Sequence, residues 1–244
     1  MNVDIEELAK YPMESDEWVT TVLIGGLATI FSFLILPIFL VSGYLVRALR
    51  AGMEDASEPP TFDDWGGMVT EGFVAAVIGF IYQLVPLIVF FVFVGGSILA
   101  FLTGTDAGGL AGLAGIFGGL FVSWILAIVF GVVGLAGVAN YAREGRFGAG
   151  FDFGLIVDVV TDRSYLLAWG YVIVLNVVVG FVVAALNIVP FLGTLVGVFL
   201  TFYALIIAGW LWGQGFAEAV GEGEFPSTDA DTREQERWGH DTDP

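Results

Sequence analysis

Long uncharged apolar stretches alternate with short polar ones along this chain. No residue is charged from Trp18 to Val46, from Gly72 to Thr105, from Ala107 to Ala142 or from Ser164 to Ala217. A helix rises about 1.5 Å per residue, so about 20 apolar residues cross a hydrocarbon core of ~30 Å. Each of the first three stretches predicts one crossing. The fourth is long enough for two, joined at Asn187-Ile188-Val189-Pro190-Phe191-Leu192-Gly193, where Asn, Pro and Gly supply a tight turn. The pattern thus predicts an all-α integral membrane helical bundle with five transmembrane helices, at about 18–42, 73–102, 109–138, 165–187 and 192–214. Pro37 predicts a kink in the first span. The second stretch exceeds one crossing, and a break at Pro86 would make two half-helices and a total of six.

Polar segments bracket the bundle. Residues 1–17 are acidic with one cation, Lys10, and so lack the basic start of a secretory signal. Residues 218–244 have the composition of a disordered acidic tail. Topology follows the placement of Arg and Lys. The loops 43–71 and 140–164 together with the C-terminal tail carry Arg47, Arg50, Arg143, Arg146, Arg163, Arg233 and Arg237, whereas the opposite side carries only Lys10. The expectation is a multi-pass cell-membrane protein with its N-terminus outside and its C-terminus in the cytoplasm.

Composition narrows the chemistry. The 244 residues include no cysteine and a single histidine, His240, in the tail. Disulfides, thiolate metal sites and histidine catalysis within the membrane are therefore excluded. The net charge of −18 repels nucleic acid, whose phosphates need Lys and Arg. With 26 acidic residues and one lysine, the balance is that expected of a halophilic protein in molar salt, where repulsion between carboxylates is screened. No span contains Asp, Glu, Lys or Arg, which counts against an ion pump. No cofactor motif is present.

The two basic loops echo one another. The first runs Gly43-Tyr44-Leu45-Val46-Arg47, then Pro59-Pro60-Thr61-Phe62-Asp63-Asp64-Trp65-Gly66. The second runs Asn140-Tyr141-Ala142-Arg143, then Gly145-Arg146-Phe147, then Phe151-Asp152-Phe153-Gly154. An internal duplication would produce this, with both copies in the same orientation because two spans separate them. With Tyr82 and Pro86 in the following span, these residues resemble an archaeal membrane family known only as domain of unknown function 4013, over residues of about 10 to 217. The resemblance implies a multi-span membrane protein and no assigned activity.

Candidate sites lie in the loops. Thr61-Phe62-Asp63-Asp64 has the form of a capping box, in which Thr61 accepts from the Asp64 N–H and opens a short interfacial helix carrying Trp65, Met68, Val69 and Phe73. Alternatively, Asp63, Asp64 and Asp152 form paired acidic sites for an ion or a basic partner. Arg47 and Arg143, with Arg50 and Arg146, either meet anionic headgroups or pair with Asp63 or Asp152. Candidate binding residues are thus Arg47, Asp63, Asp64, Trp65, Arg143 and Asp152. Gly109, Gly112, Gly115 and Gly118, with the pairs Gly108/Gly112 and Gly115/Gly119, give a small-residue face for a neighbouring helix or a second copy. Tyr82 and Gln83 beside Pro86 form the most transporter-like spot.

Three functional readings follow. The first is a non-enzymatic envelope or accessory component that acts through the lipid bilayer, other membrane proteins or itself. The second is a small transporter or channel. The third is a membrane enzyme using the loop carboxylates.

Overall fold

A computed structural model describes residues 5–188 and 191–221, and among these all regular structure is helical. The helices are α1 (Ile5–Lys10), α2 (Trp18–Ile30), α3 (Ile35–Met53), α4 (Trp65–Leu102), α5 (Asp106–Glu144), α6 (Phe153–Thr161), α7 (Arg163–Leu186) and α8 (Leu192–Ala219). Five of them, α3, α4, α5, α7 and α8, are long and apolar enough to cross a membrane. The chain is a multi-pass, all-α membrane helical bundle. The expected acidic tail beyond Gly221, and Val189 and Pro190 of the expected turn, lie outside the described residues.

The first apolar stretch departs from expectation. Where a single kinked span is expected over 18–42, the chain folds back on itself. Helix α2 stops at Ile30, a 3₁₀ turn covers Phe31–Phe33, and Leu34 is extended at ψ 132° before α3 begins. Thr29 and Ser32 donate to the carbonyls of Gly25 and Ala28, side-chain bonds that compete with the helical ladder. Pro37 falls in the first turn of α3, where its missing N–H leaves no bond unmade.

Packing on α8 fixes the fold-back. Phe202 lies against Gly25 of α2 and 5.0 Å from the ring of Tyr44 of α3. Before α2, Tyr11 sits 5.2 Å from Trp210, and its hydroxyl donates to the carbonyl of Glu58. Helix α3 therefore runs alongside α8 while α2 runs against it. The N-terminal segment and the first basic loop share one end of the molecule, where opposite sides were expected. The second stretch is not split, because α4 is one continuous helix through Pro86.

Backbone crossings hold α3 in the centre. A Cβ on Gly72 would fall 1.8 Å from the carbonyl oxygen of Phe39, and one on Gly43 1.8 Å from that of Met68, so α3 and α4 touch backbone to backbone. On its other side, a Cβ on Gly52 would fall 2.1 Å from the Trp210 carbonyl and one on Gly213 2.1 Å from that of Leu49. The anticipated glycine face on α5 packs inside the chain: Gly112, Gly115 and Gly119 meet Phe101, Ser97 and Phe93 of α4. Gly109 and Gly118 face open space.

Candidate functional site

Arg47 and Arg50 are three residues apart in the last turns of α3, and so share a face. The Arg47 guanidinium meets three carboxylates: Asp63 Oδ1 at 3.0 Å, Asp64 Oδ2 at 3.1 Å and Glu71 Oε2 at 3.2 Å. Arg50 meets the other oxygen of Glu71 at 3.2 Å and donates to the Ala142 carbonyl at 3.1 Å. The Arg47 side chain is only 16% exposed, so its charge needs this many acceptors. The loop forms no helix down to Asp64, which caps α4 by accepting from the Gly67 N–H at 3.0 Å. The Gly67 N–H, then Arg47, hold the Asp64 carboxyl below its ordinary range.

This corrects the expected capping box. Asp64, not Thr61, is the cap, and the Asp64 N–H goes to Asp63 Oδ1 at 2.9 Å. Once Arg47 draws both aspartates toward α3, the helix can start only after them. Trp65 is then the first residue of α4, half-exposed, with its ring 6.0 Å from that of Phe62. No separate interfacial helix forms here, since Met68, Val69 and Phe73 belong to α4. Sequence reasoning missed Glu71 as the bridge between the two arginines. Its signal was available, for it is the only charge between Trp65 and Thr105.

The second loop is built differently. Helix α5 ends at Gly145, whose φ of 70° suits glycine and whose N–H returns to the Tyr141 carbonyl. Arg143 pairs with Glu144 at 3.1 Å and lies 5.8 Å from the Phe216 ring, and Arg146 also pairs with Glu144. Those two arginines, Arg146 first, lower the Glu144 carboxyl below its usual range. Asp152 caps the short helix α6 through the Leu155 N–H at 3.4 Å. Asp63 and Asp64 share Arg47, Asp152 has no part in that pairing, and among the described residues the three make no group able to hold a metal ion. The echo between loops is local: in each, a Phe stacks on a Tyr and an Asp shortly after it, Asp64 or Asp152, caps a helix. The stacking partners differ, Tyr44 for Phe62 and Tyr82 of α4 for Phe151.

A second feature lies further along α4 and α5. No residue from 83 to 129 joins any of the three buried apolar clusters. This half of the hairpin packs on itself, with Gln83 donating to the Ala127 carbonyl at 3.2 Å. Its face carries a groove of about 470 Å³ that includes Gln83, Pro86, Ser123 and Trp124. Pro86 has no N–H for the Tyr82 carbonyl, and the Ser123 hydroxyl is buried with no partner. Tyr82 itself is turned inward, its hydroxyl on the Gly150 carbonyl at 2.8 Å.

Over residues 29–188, from the end of α2 to the turn after α7, the sequence matches the family described as Protein of unknown function (DUF4013). No curated protein and no solved structure matches it.

Proposed function

The chain belongs to the DUF4013 family, and we propose that it is a non-enzymatic accessory component of the cell membrane that works by docking other membrane proteins on its α4–α5 hairpin. The observation that carries this reading is the outer half of that hairpin. It is apolar, packs only on itself, and has a groove whose polar groups lipid tails cannot satisfy. A polar group of a transmembrane helix can. The loop carboxylates support the same reading by default, since Asp63, Asp64 and Glu71 are engaged by arginines and Asp152 by a helix cap.

The arginine-bearing end is the cytoplasmic one in this proposal, by the bias of basic residues toward that side. The N-terminal segment lies at the same end. The acidic composition suits a halophilic, archaeal host. Photo-crosslinking in native membranes tests the docking. A benzophenone side chain at Trp124, beside the groove, should give a discrete protein adduct, and one at Val174, exposed on α7, should give only lipid adducts. Lipid adducts alone at both positions would end the docking reading.

A further inference from the structure

Two adjoining cavities lie against α8. One, of about 410 Å³, is walled by Trp169, Ile173, Asn176 and Trp212. The other, of about 230 Å³, reaches in between α2, α3, α7 and α8 past Thr29 and Ala208, and shares Asn176 and Trp212 with the first. Their combined size is within the range of small-molecule sites, about 300–1,000 Å³. The Trp212 indole N–H is buried without an acceptor in the protein. Asn176 uses its Nδ2 on the Val172 carbonyl at 2.9 Å, which leaves its Oδ1 to accept. Two residues that line the same cleft thus carry unmet hydrogen-bonding groups, a buried donor on Trp212 and an acceptor on Asn176.

Depth selects the ligand. Asn176 lies 13 residues into α7 from Arg163, about 20 Å of helical rise, so it is far from the headgroups at that end. A charged or phosphate headgroup at this depth would lose its hydration with no countercharge nearby. A single hydroxyl meets both needs, accepting from Trp212 and donating to Asn176, while an apolar chain fills the cleft. We propose that the cleft between α2 and α7 binds a membrane-dissolved, single-hydroxyl amphiphile of the long-chain alcohol class, oriented by Trp212 and Asn176. This site is separate from the α4–α5 groove and does not depend on the docking proposed there.

The probe is tritiated 1-octadecanol, with tritiated octadecane as the control that lacks the hydroxyl. Each is added to the full chain in detergent at high salt, and probe per chain is counted after gel filtration. The alcohol should saturate near one per chain at lower concentration than the alkane. Each hydrogen bond is a modest gain, so Asn176→Leu and Trp212→Phe should each weaken octadecanol roughly fivefold and leave octadecane unchanged. Asn176 is exposed on α7, so folding does not hinge on its replacement. Equal retention of alcohol and alkane by the wild type, or undiminished alcohol retention by Asn176→Leu, would overturn the proposal.

Discussion

The two halves of α4 obey opposite rules within one unbroken helix. From Trp65 to Tyr82 it is locked: Gly72 lies on the backbone of α3, Glu71 on two arginines, and Ile78 and Tyr82 in a buried cluster with α5. From Gln83 to Leu102 it joins no buried cluster and packs on α5. Both halves are apolar, and apolarity alone does not decide which of them finds a partner inside the chain. Partner geometry does, through small residues that admit a second backbone and charges that demand a second side chain. The side chains of Thr70, Glu71 and Tyr82 in the inner half are satisfied within the chain, whereas at the boundary Pro86 leaves the Tyr82 carbonyl open and, facing the outer half, so is the Ser123 hydroxyl of α5.

Breaking the locked half should have the largest effect. Gly72→Leu forces α3 and α4 apart and should cost more than about 3 kcal/mol, whereas Gly118→Leu, whose Cβ meets open space, should stay within about 0.5 kcal/mol. Thermal unfolding in detergent at high salt reads both. Equal losses would remove the distinction between the halves.

The ionic clasp comes next. Arg47→Leu leaves Glu71, itself mostly buried, with Arg50 alone and frees two more exposed aspartates, and should cost about 2 kcal/mol. Arg146→Leu removes a largely exposed cation and should cost under about 0.5 kcal/mol. The same clasp gives a pH dependence. Because the folded-state carboxyls of Asp64 and Glu144 titrate below their ordinary values, their contribution is present at neutral pH and is lost as pH falls through and below the ordinary carboxylate range. Arg47→Leu should reduce the Asp64 part of that acid loss without abolishing it, because the Gly67 N–H remains, and a melting series across pH would show this.

Smallest is the pair of loop aspartates, Asp63 beside the α4 cap and Asp152 at the α6 cap. Asp63→Asn and Asp152→Asn should each cost about 1 kcal/mol or less, and the double variant should equal their sum within about 0.5 kcal/mol, because they serve different loops. A larger coupling would mean that the loops share a site after all.

Much of the architecture was legible in the sequence. Uncharged runs of sufficient length announce an all-α membrane bundle, and five long apolar helices are found. The fold-back at Phe31–Leu34 was not legible, because apart from Ser32 its turn is made of the same apolar residues as the helices on either side. What stabilises it is Phe202, more than 160 residues away, which no local pattern reports. The loop residues were found but not their arrangement. Thr61 fitted the capping pattern as well as Asp64, and the choice was made by Arg47 from the preceding helix. Similarly, Phe151 found Tyr82 rather than its own loop's tyrosine, so the similarity between loops did not carry over to their contacts.

The central claim is that one end of the molecule gathers the N-terminal segment, the basic loops and the ionic clasp, while the tip of the α4–α5 hairpin marks the other. It rests on α2 and α3 folding back rather than forming one crossing. Single cysteines at Glu14, Ser57 and Thr105 in this cysteine-free chain test it directly, by labelling intact cells with an impermeant thiol reagent. The account predicts that Thr105 is labelled while Glu14 and Ser57 are both protected until the cells are permeabilised. Labelling at Glu14 with protection at Ser57 would put a full crossing between them and contradict it.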